Sequence, residues 1–161
     1  MNKLIVISIF CFLSFGFVTK SVAQSISPNQ TEVIKKQVDA VFLKMVDSAK
    51  KFDFKELSSG VDDTHMAGFI SNGKYYASYS ALVKEVEPSA QGIDRQDISF
   101  KDKKITVLSE SLVLVTTSGV SNSYLDDGRE IIVDFQWSFI YEKINNDWKV
   151  IHSHQSSMRV K

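Results

Sequence analysis

Asp147-Trp148-Lys149-Val150-Ile151-His152-Ser153-His154-Gln155-Ser156 is the stretch on which the reading of this chain turns. It follows Gly128-Arg129-Glu130-Ile131-Ile132-Val133-Asp134-Phe135-Gln136-Trp137-Ser138-Phe139-Ile140-Tyr141-Glu142-Lys143, with Ile144-Asn145-Asn146 between the two. Both segments are rich in β-branched and aromatic residues, and Asn tolerates the left-handed backbone that a tight turn requires, so the pair predicts a β-hairpin. Successive strand residues point to opposite faces, which puts His152 and His154 on one face together with Trp148 and Val150.

Working outward, the register follows from the turns. With two-residue turns at Asn145-Asn146 and Asp127-Gly128, Tyr141 pairs with Val150, Phe139 with His152 and Trp137 with His154, and directly paired residues share a face. The strand before this hairpin then sets Leu114 opposite Tyr141, Thr116 opposite Phe139, Ser118 opposite Trp137 and Asn122 opposite Val133. One face therefore gathers Phe135, Trp137, Phe139, Tyr141, Trp148, Val150, His152 and His154, with Ser118 and Asn122 among them. The other carries Asp134, Gln136, Ser138, Lys149, Ser153 and Gln155 around an Ile140/Ile151 pair. A turn with an odd number of residues would reverse the facing of a strand. The aromatic face must meet whatever helices the chain provides.

Those helices come first in the sequence. Ser27-Pro28-Asn29-Gln30 combines a cap, a proline suited to the first helical position, and a glutamine spaced for a capping box. Ile34, Val38, Val41, Phe42, Met45 and Ala49 then recur at helical spacing through Lys51. Asp53 is placed to cap a short helix over 54–58 that Gly60 ends, and Asn72-Gly73 marks a tight hairpin turn before Tyr75-Tyr76. Ser78 or Ser80 can start a third helix that Pro88 stops or kinks. After Gly92 the pattern becomes strands over 97–108, 112–124, 129–143 and 148–158. Helices followed by an antiparallel meander predict an α+β domain.

Residues 1–23 stand apart from this pattern. Lys3, the apolar run over 4–18 and Ser21-Val22-Ala23 have the anatomy of a secretory signal peptide cut between Ala23 and Gln24. The apolar run is shorter than the roughly 20 residues of a spanning helix. The expectation is an exported protein, periplasmic or secreted, with a single domain over 24–161 and no membrane contact after cleavage. Cys11 is the only cysteine and leaves with the signal, so the domain has no disulfide and no thiolate chemistry. Without Lys3 and Lys20, 17 basic residues face 19 acidic ones, a net charge of −2. That is not the basic footprint of a nucleic-acid binder.

The chain at this point resembles the NTF2-like superfamily, in particular its SnoaL-like and DUF4440-type members. The resemblance is sharpest at 147–156, which is similar to the family's "gly-lys-trp-lys-ile-val-his-x-his-x-ser" ending. The association domain of calcium/calmodulin-dependent kinase closes with a similar stretch. Asp53, Asp62-Asp63 and Asn72-Gly73 also fall where the family often has its second helix and first hairpin. The resemblance implies a cone, with N-terminal helices packed across a strongly curved antiparallel sheet, and a habit of pairing through sheets that predicts a homodimer. The steroid-isomerase branch sets a carboxylate base against a tyrosine and a second acid, and this chain does not match that set residue by residue.

A mostly apolar concavity with a few convergent polar groups suits a small molecule. The expected ligand-binding residues are His154, His152, Trp137, Tyr141, Asn122 and Ser118, for a small apolar or amphipathic ligand. Each also has a structural reading, as a core histidine or a core aromatic. An enzyme of isomerase, cyclase or hydrolase type is the alternative, with His154 as acid or base and Asp63, Tyr75 or Tyr76 as partner, in hydrogen-bond reach of one another. A third reading is a non-catalytic homodimeric interaction module built on Ile140 and Ile151. No cofactor is implied. No metal site is implied either, because His152 and His154 lack a third ligand at a recognisable spacing.

Overall fold

A computed structural model describes residues 26–65 and 67–160. The expected signal segment, the expected Ala23/Gln24 cut and Cys11 lie outside the described residues.

Helix α1 spans Pro28–Lys50, with Ser27 as its cap: the Ser27 hydroxyl accepts the Gln30 N–H at 3.2 Å. The reciprocal half of the box is not made. Gln30 sends its side-chain amide 2.8 Å to Glu110 instead, tying the helix start to the 110–111 turn. The stripe Ile34, Val38, Phe42 and Val46 is buried, with Val41, Met45 and Ala49 partly so. Phe52 closes the helix in the left-handed region (φ 54). Its N–H donates to Ala49 O and the N–H of Asp53 to Ser48 O, a helix-ending pattern that usually recruits glycine at the left-handed position.

Asp53 caps α2 (Phe54–Ser59) through the Glu56 N–H at 2.9 Å. β1 (Phe69–Ser71) and β2 (Lys74–Tyr76) form a small hairpin around Asn72 and Gly73, both at positive φ. Ser78 caps α3 (Tyr79–Val86). Pro88 then confines the chain to a single 3₁₀ turn, Glu87–Ala90, since a proline ring blocks a continuing α-helix.

The four long strands are β3 (Ile93–Ser109), β4 (Leu112–Leu125), β5 (Glu130–Ile144) and β6 (Asp147–Arg159). They form one six-stranded sheet in the order β2-β1-β6-β5-β4-β3, in which only β1 and β6 run parallel. Its inner face packs on α1. Phe42 meets Phe100 at 5.5 Å and Phe139 at 6.0 Å between ring centroids, and Phe135, Trp137, Phe139 and Tyr141 form an aromatic row along β5. Burying one such side chain fully stabilises the fold by about 1.5–3 kcal/mol.

Two local features set which residues face the helices, and both depart from the sequence reading. The β4–β5 turn contains three residues, Asp126-Asp127-Gly128, with Gly128 at φ 82 and the Gly128 N–H bonded to Leu125 O. The β4 register therefore slips by one. Val113, Val115, Thr117, Gly119, Ser121 and Ser123 face inward, opposite Tyr141, Phe139, Trp137, Phe135, Val133 and Ile131. In β6, Tyr141 pairs with Val150 as expected, but Ile140 pairs with His152 and Phe139 with Ser153, so Ile151 is the extra residue of a bulge. Beyond that bulge every side chain changes face. The bulged strand is anchored by residues 60–62: the Val150 N–H donates to Gly60 O, and the Asp62 N–H to Val150 O.

Candidate functional site

The bulge moves both histidines out of the cone. His154 is exposed on the outer face of the sheet, opposite Ser138, beside a shallow groove of about 630 Å³ that Lys104, Thr116 and Ser118 also line. His152 is half-buried on the same face, where its Nδ1–H donates 2.8 Å to Gly68 O. The three-residue turn does the same to β4. Ser118 lies outside and donates to Asp102 at 3.2 Å, and Asn122 lies outside with its Oδ1 buried and without a partner among the described residues. Of the six expected ligand residues, Trp137 and Tyr141 face inward.

Tyr141 is completely buried, and its hydroxyl donates 3.6 Å to the Met45 sulfur. Burial pushes its phenol well above the ordinary tyrosine range, so it is a core residue that stays protonated. Trp137 stacks on Phe135 at 3.8 Å and lines the cavity of the cone.

His154 and the partners expected for it in proton transfer do not converge. His154 is on the outer face, and Tyr75, 60% exposed, is two strands away with β1 between them. Asp63 sits at the start of α3, its two carboxylate oxygens accepting the Tyr79 N–H at 2.9 and 3.0 Å. Tyr76 faces inward but packs under Lys74, with the ammonium 5.2 Å from its ring centroid. The third histidine, His65, pairs with Glu142 at 2.7 Å on the surface.

The cavity itself is about 330 Å³. It lies between the end of α1, the 52–57 segment, α3 with its 3₁₀ turn, and the inner face of the sheet. Its walls are aliphatic and aromatic: Met45, Phe52, Leu82, Ile98, Trp137 and Phe139 among them. Five neutral polar side chains interrupt them: Ser71, Ser89, Gln96, Ser153 and Gln155. Tyr79 also lines it; burial, with Asp63 nearby, raises its phenol to about 12, which makes the hydroxyl a hydrogen-bond donor at neutral pH and not a base. No histidine, cysteine, carboxylate or cationic side chain lines this cavity among the described residues.

The polar wall residues were hidden in the sequence by the same bulge. Ser153 and Gln155 read as outward under unbroken alternation, and the visible clue was the doublet Val150-Ile151, two apolar residues in succession where a half-buried strand should alternate. Gln96 and Ser71 lie on segments whose period gave no face. Among the described residues, no group of three or more His, Cys, Asp or Glu converges to hold a metal ion.

A model of the SnoaL-like domain matches residues 38–160. The fold is similar to that of an NTF2-like superfamily protein from Salmonella enterica serovar Typhimurium (15% identity, TM-score 0.69, 78% of this chain and 92% of that one). It is also similar to hexachlorocyclohexane dehydrochlorinase LinA-type3 from Novosphingobium barchaimii (12% identity, TM-score 0.65, 84% and 92%). A third likeness is the association domain of C. elegans CaMKII (14% identity, TM-score 0.63, 78% and 96%). No curated protein matches the chain by sequence. A curved six-stranded sheet closed by N-terminal helices gives the chain an NTF2-like fold, and the family match over 38–160 leads to one assignment: the chain belongs to the SnoaL-like domain family.

Proposed function

We propose that this protein is a non-catalytic binding domain whose cone holds a small apolar or amphipathic molecule. The observation that carries this reading is the composition of the cavity wall. About 330 Å³ of space falls in the range of small-molecule sites, roughly 300–1,000 Å³, which are mostly apolar with a few placed polar groups. Acid–base catalysis needs a titrating group in hydrogen-bond reach of a substrate atom. The only ionisable group on this wall among the described residues is Tyr79, held protonated. Uptake of the neutral dye Nile red tests the reading. The protein should enhance its fluorescence, and Ala49→Trp or Val86→Trp, which fill the cavity from α1 and α3, should abolish the enhancement without lowering the melting temperature much. Undiminished dye binding by both folded variants would move the site elsewhere.

A second reading concerns assembly. The outer sheet face carries Leu114 beside Ile140, both half-buried, with His152 on the other flank of Ile140. One structural relative is an association domain. We infer that two copies pair through this face. Export through the 1–23 segment completes the reading, supported by the sequence pattern of that segment; an N-terminal mass starting at Gln24 in protein from its native host tests it.

A further inference from the structure

We propose that the cone selects uncharged amphiphiles, binding a hydroxyl or carbonyl end group at the corner made by Ser71, Ser153 and Gln155, and that it rejects carboxylates. The inference rests on the reading of the cone as a ligand site and says which molecules that site takes.

The corner is a built feature. Ser71 and Gln155 are partners across the parallel β1–β6 pair, and Gln155 lies directly opposite Trp137 on β5. The Gln155 backbone is fixed by the Asn72 N–H, which donates 2.8 Å to its carbonyl. One N–H of its carboxamide donates 3.2 Å to Ser153, whose side chain is 1% exposed. The rest of that carboxamide and the Ser71 hydroxyl have no partner among the described residues, so a hydroxyl or carbonyl can be bonded here as donor or acceptor. A polar end group placed at this corner lays its apolar remainder along Trp137 and Phe139.

Charge is excluded by what surrounds the cavity. Lys103, Lys44 and Lys74, cations near the inner side of the sheet, are already paired, with Asp39, Glu56 and Glu85; Lys74 lies across from Ser71. Asp63, which bonds the backbone of Tyr79 and helps to raise its phenol, sets a negative charge beside the wall. An ionised carboxylate entering this space loses its water and gains neither a cation nor a full set of donors, and that desolvation is not recovered.

Displacement of Nile red by decan-1-ol and by decanoate, at about pH 8 where the carboxylate is ionised, tests the selection. The alcohol should displace the dye at a concentration at least about thirtyfold below that of decanoate. Gln155→Arg places a cation at the corner and should reverse the order, with decanoate becoming the better competitor. Equal displacement by the two probes in the unaltered protein overturns the selection while leaving the cone as a ligand site. A preference for the alcohol that Gln155→Arg leaves unchanged, in a variant that melts like the parent, overturns the assignment to this corner. Absence of dye binding from the outset overturns the binding reading itself, and the two failures are thereby distinct.

Discussion

At the scale of single residues, histidine is the residue whose position changes the chemistry most. An exposed His154 on the outer sheet face has no buried partner to strand. His154→Ala should therefore shift stability by no more than about 0.5 kcal/mol and leave Nile red affinity unchanged. A loss near 2 kcal/mol in urea denaturation would place the side chain inside after all. Tyr79 makes the opposite case, since its ionisation is tied to the fold. Its phenol is raised from the ordinary value of 10.0 to about 12, first by burial and then by Asp63. A folded-state pKa above the unfolded one gives stability that is complete below about pH 10 and is lost as the pH rises toward 12. Tyr79→Phe removes the titrating group, so the variant should lose less stability than the parent between pH 9 and pH 11. Denaturant midpoints at the two pH values compare them, and parallel losses would contradict the assignment.

Elements differ in what fixes them. The hairpin turns are local: Asn72-Gly73 and Asn145-Asn146 all adopt positive φ, as a two-residue turn matching the strand twist demands. The curvature of the sheet is not local. β3 breaks register between Phe100 and Asp102 where it crosses Gly119, and the Phe135 ring lies over that glycine. A Cβ at Gly119 would stand 2.1 Å from Ser99 O and 2.6 Å from the Phe135 ring. The first neighbour is backbone and cannot swing away. Gly119→Ala should cost about 3 kcal/mol, read from urea or thermal unfolding. A change below about 0.5 kcal/mol would mean that β3 does not approach β4 so closely.

For the whole molecule, the proposed pairing depends on the outer face of the sheet. Leu114 and Ile140 are neighbours across β4 and β5, while Ile151, the other isoleucine expected there, is consumed by the bulge. Ile140→Asp buries a carboxylate in any interface formed by this face, where an unpaired charge is poorly tolerated. Sedimentation at micromolar concentration should show a dimer for the parent and a monomer for the variant. A monomeric parent would refute pairing through the sheet. Dye uptake should persist in the monomer, because the cone opens on the opposite side of the sheet.

The sequence by itself determined the elements and their order. Caps at Ser27 and Asp53, a third helix starting at Ser78 or Ser80, the stop near Pro88, the two tight turns and the α+β plan were legible because each depends on a few neighbouring residues with narrow backbone preferences. The composition of 147–156 also carried the family. What the sequence left to the tertiary structure was phase. One added residue in the 126–128 turn and one bulged residue at Ile151 each reverse a strand, and neither leaves a strong local mark. The bulge falls where β6 serves β5, the 60–62 segment and β1 at once, a long-range demand that alternation along one strand does not contain. So Trp137 and Tyr141 were placed correctly by the hairpin turn adjoining them, whereas His152, His154, Ser118 and Asn122 exchanged faces with Ser153, Gln155, Thr117 and Ser121. The polar corner of the cone exists only because of that exchange.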